Sequence, residues 1–222
     1  MAPSVRSFEV GGSEGTGETL NKPTGTVNGD WLLAVTASDE TTDTWVTLPA
    51  GFNEIADSRI SQSATQPKFQ VSIKEAASEG STYAFTVPSF MSSITWLFAL
   101  QGCTANTIWK SAVARGTVAA SVSPNITAAT HGGTDPLVFD LVAAITEYTA
   151  RTFSTPSGMT ARGGAINGAW MYGAGFSLGL SGAVDSVART STISAAEPWT
   201  ACAVVVADPP AATYKKGLLI PT

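Results

Sequence analysis

Apolar and polar residues alternate with a period of two along much of this chain, and that rhythm predicts β-strands. It is clearest at 68–74, where Phe69, Val71 and Ile73 face one way and Gln70, Ser72 and Lys74 the other. After a short polar connection at 75–80, Tyr83, Phe85 and Val87 alternate with Ala84 and Thr86. Successive strand residues point to opposite faces, so this pattern predicts antiparallel strands with one buried face. The next strand, 93–101, carries Ile94, Trp96, Phe98 and Leu100 on one side and is apolar almost throughout, which predicts a central position.

Other runs of strand length and composition fall at 5–10, 30–37, 45–48, 52–57, 137–145, 169–178 (weakened by glycines), 186–193 and 200–207. The stretch 117–127 is weakly patterned. The Gly/Thr/Ser-rich run 11–29 and the polar run 38–44 read as loops. No stretch carries a convincing capped helical period. About ten strands at this spacing predict an all-β antiparallel fold, a two-sheet sandwich or a closed barrel. Strong strands bracket the whole pattern, which favours one domain, 4–208. Pro209-Pro210 then ends it, leaving an extended C-terminal arm, 209–222.

Composition narrows the function classes. The chain has 222 residues with a net charge of −5, and 13% are charged against 44% hydrophobic. Twelve scattered Lys and Arg against seventeen Asp and Glu offer no phosphate-facing patch, so nucleic acid and anionic membrane are not expected partners. No run reaches the length of a membrane span. The N-terminus lacks the apolar core of a signal peptide, so synthesis in the cytoplasm is expected. Cys103 and Cys202 sit in apolar runs and read as small buried hydrophobes, although one bridge between neighbouring strands stays open.

Several motifs look chemical. Gly175-Phe176-Ser177-Leu178-Gly179 has the spacing of a nucleophile elbow, but the single histidine, His131, lies upstream and no helix follows. A glycine-rich strand packed closely against something is the better reading. The stretch 12–19 has the spacing of a phosphate-binding loop, with Glu18 where the cation belongs. A carboxylate there repels phosphate, so a flexible loop is expected. His131, between two strands, is expected to be solvated, with Asp135 and Asp140 its nearest acidic residues in sequence. The acidic loop of Asp39, Glu40 and Asp43 could in principle offer calcium oxygens but lacks their regular spacing. No metal or cofactor is expected. Glu54, Asp57, Asp140 and Glu147 are the carboxylates from which a glycosidase pair would have to come. Trp45, Trp109 and Trp170 are less embedded in apolar runs than Trp31 and Trp96, so they are candidates for stacking on sugars.

The arm carries an apolar cluster. Leaving Leu218, Leu219 and Ile220 in water is costly, at about 1.5–3 kcal/mol each. With Tyr214, Lys215 and Lys216 they form a candidate protein interface that docks on a neighbouring chain.

Taken together, Asn28-Gly29-Asp30-Trp31-Leu32-Leu33-Ala34, Leu48-Pro49-Ala50-Gly51-Phe52 and Gln70-Val71-Ser72-Ile73-Lys74-Glu75-Ala76 resemble a family of bacteriophage virion proteins. So do Gly80-Ser81-Thr82-Tyr83-Ala84-Phe85-Thr86-Val87 and Thr155-Pro156-Ser157-Gly158-Met159. The resemblance covers about residues 28–206 and rests on turn and strand signatures. It implies a jelly-roll, lectin-like sandwich and a structural role in a virion, as a head-decoration or minor tail protein, with no catalytic residues to transfer. A capsid cement or decoration protein is the expectation that follows, a homotrimer bound to the major capsid protein or another virion protein. The alternative is a tail-tip or tail-fibre module for a receptor or surface glycan, and a glycan-degrading enzyme comes third.

Overall fold

The computed structural model describes residues 1–39, 45–55, 66–147, 149–167 and 170–209, with the backbone alone described at 88–90, 128 and 164–167. The first half of the chain forms β1 (Ser4–Asn21), β2 (Trp31–Ser38), β3 (Asn53–Glu54), β4 (Lys68–Glu75) and β5 (Thr82–Gln101). The second half forms β6 (Ile108–Gly116), β7 (Ala120–Val122), a four-residue helix α1 (Ala128–His131), β8 (Thr134–Ile145), β9 (Thr160–Asn167), β10 (Met171–Gly179), β11 (Thr190–Thr192) and β12 (Trp199–Asp208). No helix among the described residues is long and apolar enough to cross a membrane.

The expected antiparallel two-sheet sandwich is what the chain forms. Sheet A has the order β1-β5-β2-β4-β3 and sheet B the order β6-β12-β8-β10-β9, while β7 and β11 pair as a separate small sheet. The winding is the finer point. A jelly roll interleaves the two halves of its chain between the sheets, whereas here each sheet takes its strands from one half.

Alternation explains the core. From sheet A, Leu33, Val35, Phe69, Val71, Ile94, Trp96, Phe98 and Leu100 face inward. From sheet B they meet Leu137, Phe139, Leu141, Met171, Cys202, Val204 and Val206. Phe98 and Phe139 touch across the middle, ring centroids 4.6 Å apart. Trp96 lies against Gly173 and Gly175 of β10, where an added Cβ would stand 2.8 and 2.9 Å from the indole. Glycine there lets the largest side chain of the core fit beneath the strand.

Both sheets are also apolar on their outer faces. Over sheet A, the β1–β5 pair folds back on itself. Its register runs to Gly15↔Met91 and resumes at Gly17↔Thr86, so β1 passes Thr16 while β5 passes 87–90. This irregularity swings Leu20, Tyr83, Phe85 and Val87 onto Leu32, Ala34, Leu97 and Ala99. Over sheet B, Ile193, Met159 and Phe153 cover Val142, Phe176 and Ala201. Ile126 and Leu180 cover Val138, Ala203 and Val205.

Several elements differ from the sequence expectation. Residues 11–21 are strand rather than loop, because long-range pairing with β5 overrides their low intrinsic strand preference. The runs around Tyr83 and around Trp96 form one strand, β5. Pro88, which a paired strand excludes, falls among the residues that β1 leaves unpaired. Strands β6 and β9 carry no clear alternation. Every residue of β6 is half-buried, so neither face demands an apolar set. The run 45–48 contributes a single bridge, Thr47↔Thr86. Residues 210–222 lie outside the described residues, and with them Tyr214, Lys215, Lys216, Leu218, Leu219 and Ile220 of the arm.

Candidate functional site

The side chains that looked chemical in the sequence hold the fold together. Ser177 sits in mid-strand on β10, paired with Phe139 on one side and Thr160 on the other. It is buried, and its hydroxyl accepts a hydrogen bond from Arg162 Nε at 2.7 Å. Extended backbone replaces the sharp turn that a nucleophile elbow needs. Glu18, on the phosphate-loop-like stretch, lies in the folded-back part of β1.

His131 is buried rather than solvated, with 2% of its surface exposed. Gly133 N–H donates to its Nδ1 at 3.1 Å, so Nε2 carries the proton and donates to the Val184 carbonyl at 3.0 Å. Both ring nitrogens thus fasten loops. Asp135 is occupied as well, its Oδ1 accepting the Gly182 N–H at 2.6 Å.

The carboxylates are dispersed. Glu54 accepts a hydrogen bond from Gln70 on the outer face of sheet A. Asp140 is on the outer face of sheet B, and Glu147 is exposed just past β8. Asp57 lies outside the described residues, as do Glu40 and Asp43 of the acidic loop. Asp39 accepts the Ser92 N–H at 2.9 Å. Among the described residues, no three His, Cys, Asp or Glu side chains gather as a metal would need. Cys103 and Cys202 are both free thiols. Burial, with Asp208 adding its charge, pushes Cys103 up to about 12, which leaves it without a thiolate at neutral pH.

Two acids named in the sequence analysis, Glu18 and Asp140, have buried carboxyl oxygens. Across the outer face of sheet A runs a polar row. Glu18 lies beside Thr95, the Thr95 and Thr36 hydroxyls are 2.8 Å apart, Thr36 pairs with Gln70, and Gln70 reaches Glu54. Both Glu18 oxygens are shut away from water. Burial raises Glu18 to about 7, with the Thr95 hydroxyl pulling the other way. Gly11, paired with Thr95, makes the space, since a Cβ there would run into Leu20. On sheet B, burial raises Asp140 to about 6, partly offset by the Ser123 hydroxyl and the Arg189 charge. The void beside it is about 10 Å³, at most one water.

A space that does admit a ligand lies on the outer face of sheet B, where β9 and β10 meet the segment 151–155. This cleft holds about 370 Å³ and is lined by Arg151, Thr152, Phe153, Thr155, Tyr172 and Phe176, with Ala161, Gly163 and Ala174 among the small residues of its wall. Phe153 and Tyr172 carry no local signal, because nothing in the pattern says that a β10 residue and a loop some twenty residues earlier share a wall. Of the tryptophans expected to stack on sugars, Trp45 lies under Lys68 Nζ, 5.2 Å from its ring centroid. Trp109 packs on Trp31. Trp170 is 38% exposed. None of the three lines the cleft.

No family model, curated protein or solved structure matches the chain.

Proposed function

We propose that this chain is a non-enzymatic virion structural protein, a capsid cement or decoration protein that works through protein–protein contacts. One observation carries the contact role. Of the seven large apolar side chains exposed among the described residues, four, namely Val118, Val122, Val184 and Val187, belong to the β7–β11 lid over sheet B and its flanking connections. Apolar side chains left in water on this cover support a protein contact there. The spent state of Ser177, His131 and Asp135 supports a role without catalysis. The virion setting is supported by the family resemblance of the strand and turn signatures. In this reading the protein assembles as a homotrimer on the capsid, and the arm, through Tyr214, Lys215, Lys216, Leu218, Leu219 and Ile220, grips the major capsid protein or a neighbouring copy.

Imaging the native particle tests the reading directly, since density for this domain on the head supports it and density at the tail refutes it. Deleting 211–222, or replacing Val122 and Val187 by aspartate, is expected to abolish cosedimentation with capsids while leaving the domain folded. Full retention by both variants removes the contact argument. A second reading, a tail-tip or tail-fibre module that binds a surface glycan, is favoured by the cleft beside β10.

A further inference from the structure

We propose that the cleft on the outer face of sheet B is a subsite for a short neutral glycan. The inference deepens the glycan-binding reading and is independent of attachment to capsids. About 370 Å³ falls in the range of small-ligand sites, roughly 300–1,000 Å³. Its wall is held in place before any ligand arrives. Ser154 N–H donates to the Thr192 carbonyl at 2.9 Å, Ser194 N–H to the Thr152 carbonyl at 3.0 Å, and Thr152 N–H to Ser194 Oγ at 3.1 Å. A pre-formed wall costs little ordering on binding.

The lining chemistry selects the class of ligand. Tyr172 and Phe153 are half-buried rings beside Ala174 and Ala161, a surface suited to the C–H face of a sugar ring. At one end, Arg151 Nε donates to Glu197 at 2.7 Å. Its Nη2 donates to the same carboxylate and its Nη1 to the Ala150 carbonyl at 3.2 Å, so Arg151 reaches the cleft with its charge already paired, while Glu197 stands outside the lining. A sugar hydroxyl both donates and accepts, so it matches the remaining guanidinium N–H groups of Arg151 together with the Thr152, Thr155 and Tyr172 hydroxyls of the lining. Glu197 compensates the Arg151 charge, which removes the advantage an anionic sugar would have. An extended peptide fits less well. Strand β10 is paired with β8 and β9 on its two sides, and the outermost strand, β9, packs at Gly163 against Phe8 and Val10 of β1, so the edge beside the cleft is partly covered.

The test is a titration of the isotope-labelled full chain with lactose, maltose and cellobiose, read by amide chemical shifts, with glucuronic acid as the anionic control. Saturable shifts are expected at 152–155, 161–163 and 172–176 for at least one disaccharide. Phe153→Ala is expected to weaken that binding about tenfold, and Tyr172→Phe, which keeps the ring, by less. Unchanged shifts elsewhere in the spectrum verify that each variant is folded. Shifts from a neutral sugar confined to another part of the surface overturn the cleft assignment while leaving the glycan-binding reading standing. No shift from any of the three disaccharides at their highest soluble concentration overturns the proposal, and binding of all glycans by the native particle at another protein would overturn the wider reading too. Preference for glucuronic acid refutes the argument from charge.

Discussion

The two outer faces of the sandwich solve one problem in different ways. Each sheet is apolar on both sides and must cover the face turned away from its partner. Sheet A covers its own, because β1 and β5 run on past the sheet and fold back over it. Sheet B borrows a cover from the connections between its strands, built around β7, β11 and the segment 151–159. A ribbon continuous with the sheet seals tightly, and it traps Glu18 in doing so. A cover assembled from loops stops short of the β9–β10 hairpin and leaves a cleft. Closure by strands gives rigidity, and closure by loops gives room for a ligand.

The sharpest way to break this comparison is Gly17→Val. Gly17 has φ of 116°, and a Cβ there would run into the Phe85 carbonyl. The ribbon cannot fold back past such a clash, and a loss of about 4 kcal/mol is expected in urea unfolding. The accompanying rise in amide exchange should appear in 82–87 and 97–99 and spare β8. A loss below about 1 kcal/mol would mean that the ribbon is not what closes sheet A.

Next in size is the pH dependence. Glu18 and Asp140 hold their protons more tightly in the folded protein than in the unfolded chain, with values of about 7 against 4.5 and about 6 against 3.8. The folded state therefore binds more protons than the unfolded chain between those values. Stability is full below about pH 4 and falls as pH rises through 6 and then 7. The protein should be about 3–4 kcal/mol less stable at pH 8 than at pH 5. Glu18→Gln should flatten the upper part of the curve and Asp140→Asn the lower part. A profile that rises towards pH 8 would show that neither acid is buried as described.

A smaller effect is expected from Gly175→Ala, which drives a methyl onto the Trp96 indole and should cost about 1.5 kcal/mol. Coupling with Trp96→Phe in a double-mutant cycle, of about 1 kcal/mol, would tie the loss to that contact. Smallest is Phe153→Ala, expected to cost about 1 kcal/mol or less in thermal unfolding, because the ring is only half-buried. A larger loss would mean that the cleft wall is core.

Alternation made the inner core legible. Phe69, Val71, Ile94, Trp96, Phe98 and Leu100 were assigned to common faces from spacing alone, and they share the inter-sheet core. Glycine in 171–179 was legible as close packing, although Trp96 as the partner was not, since it lies on the other sheet. The ribbon was illegible because its residues, Gly11, Gly15 and Gly17 among them, look like loop and become strand only through β5. His131 was read as solvated for the same reason. Its two partners are backbone groups, one of them at Val184, more than fifty residues away. The cleft was the least legible feature. Its walls come from segments that no local pattern joins, and the stacking residues expected from sequence were tryptophans, whereas the cleft is lined by Phe153, Tyr172 and Phe176.

The segregation of the two halves also sets an order of events as the chain is made. All the strands of sheet A are available once residue 101 has been synthesised, and its pairings can close while the rest is still to come. Sheet B has no such freedom. Its last strand in sequence, β12, lies between β6 and β8, so β6 has no place in the sheet until residues 199–208 arrive. During that wait the part of sheet A that Cys202, Val204 and Val206 will cover stands bare, and β8 shows an open edge. A nascent chain stalled before β12 is thus a half-finished sandwich with an adhesive side, and the ten residues of β12 end that exposure in one step.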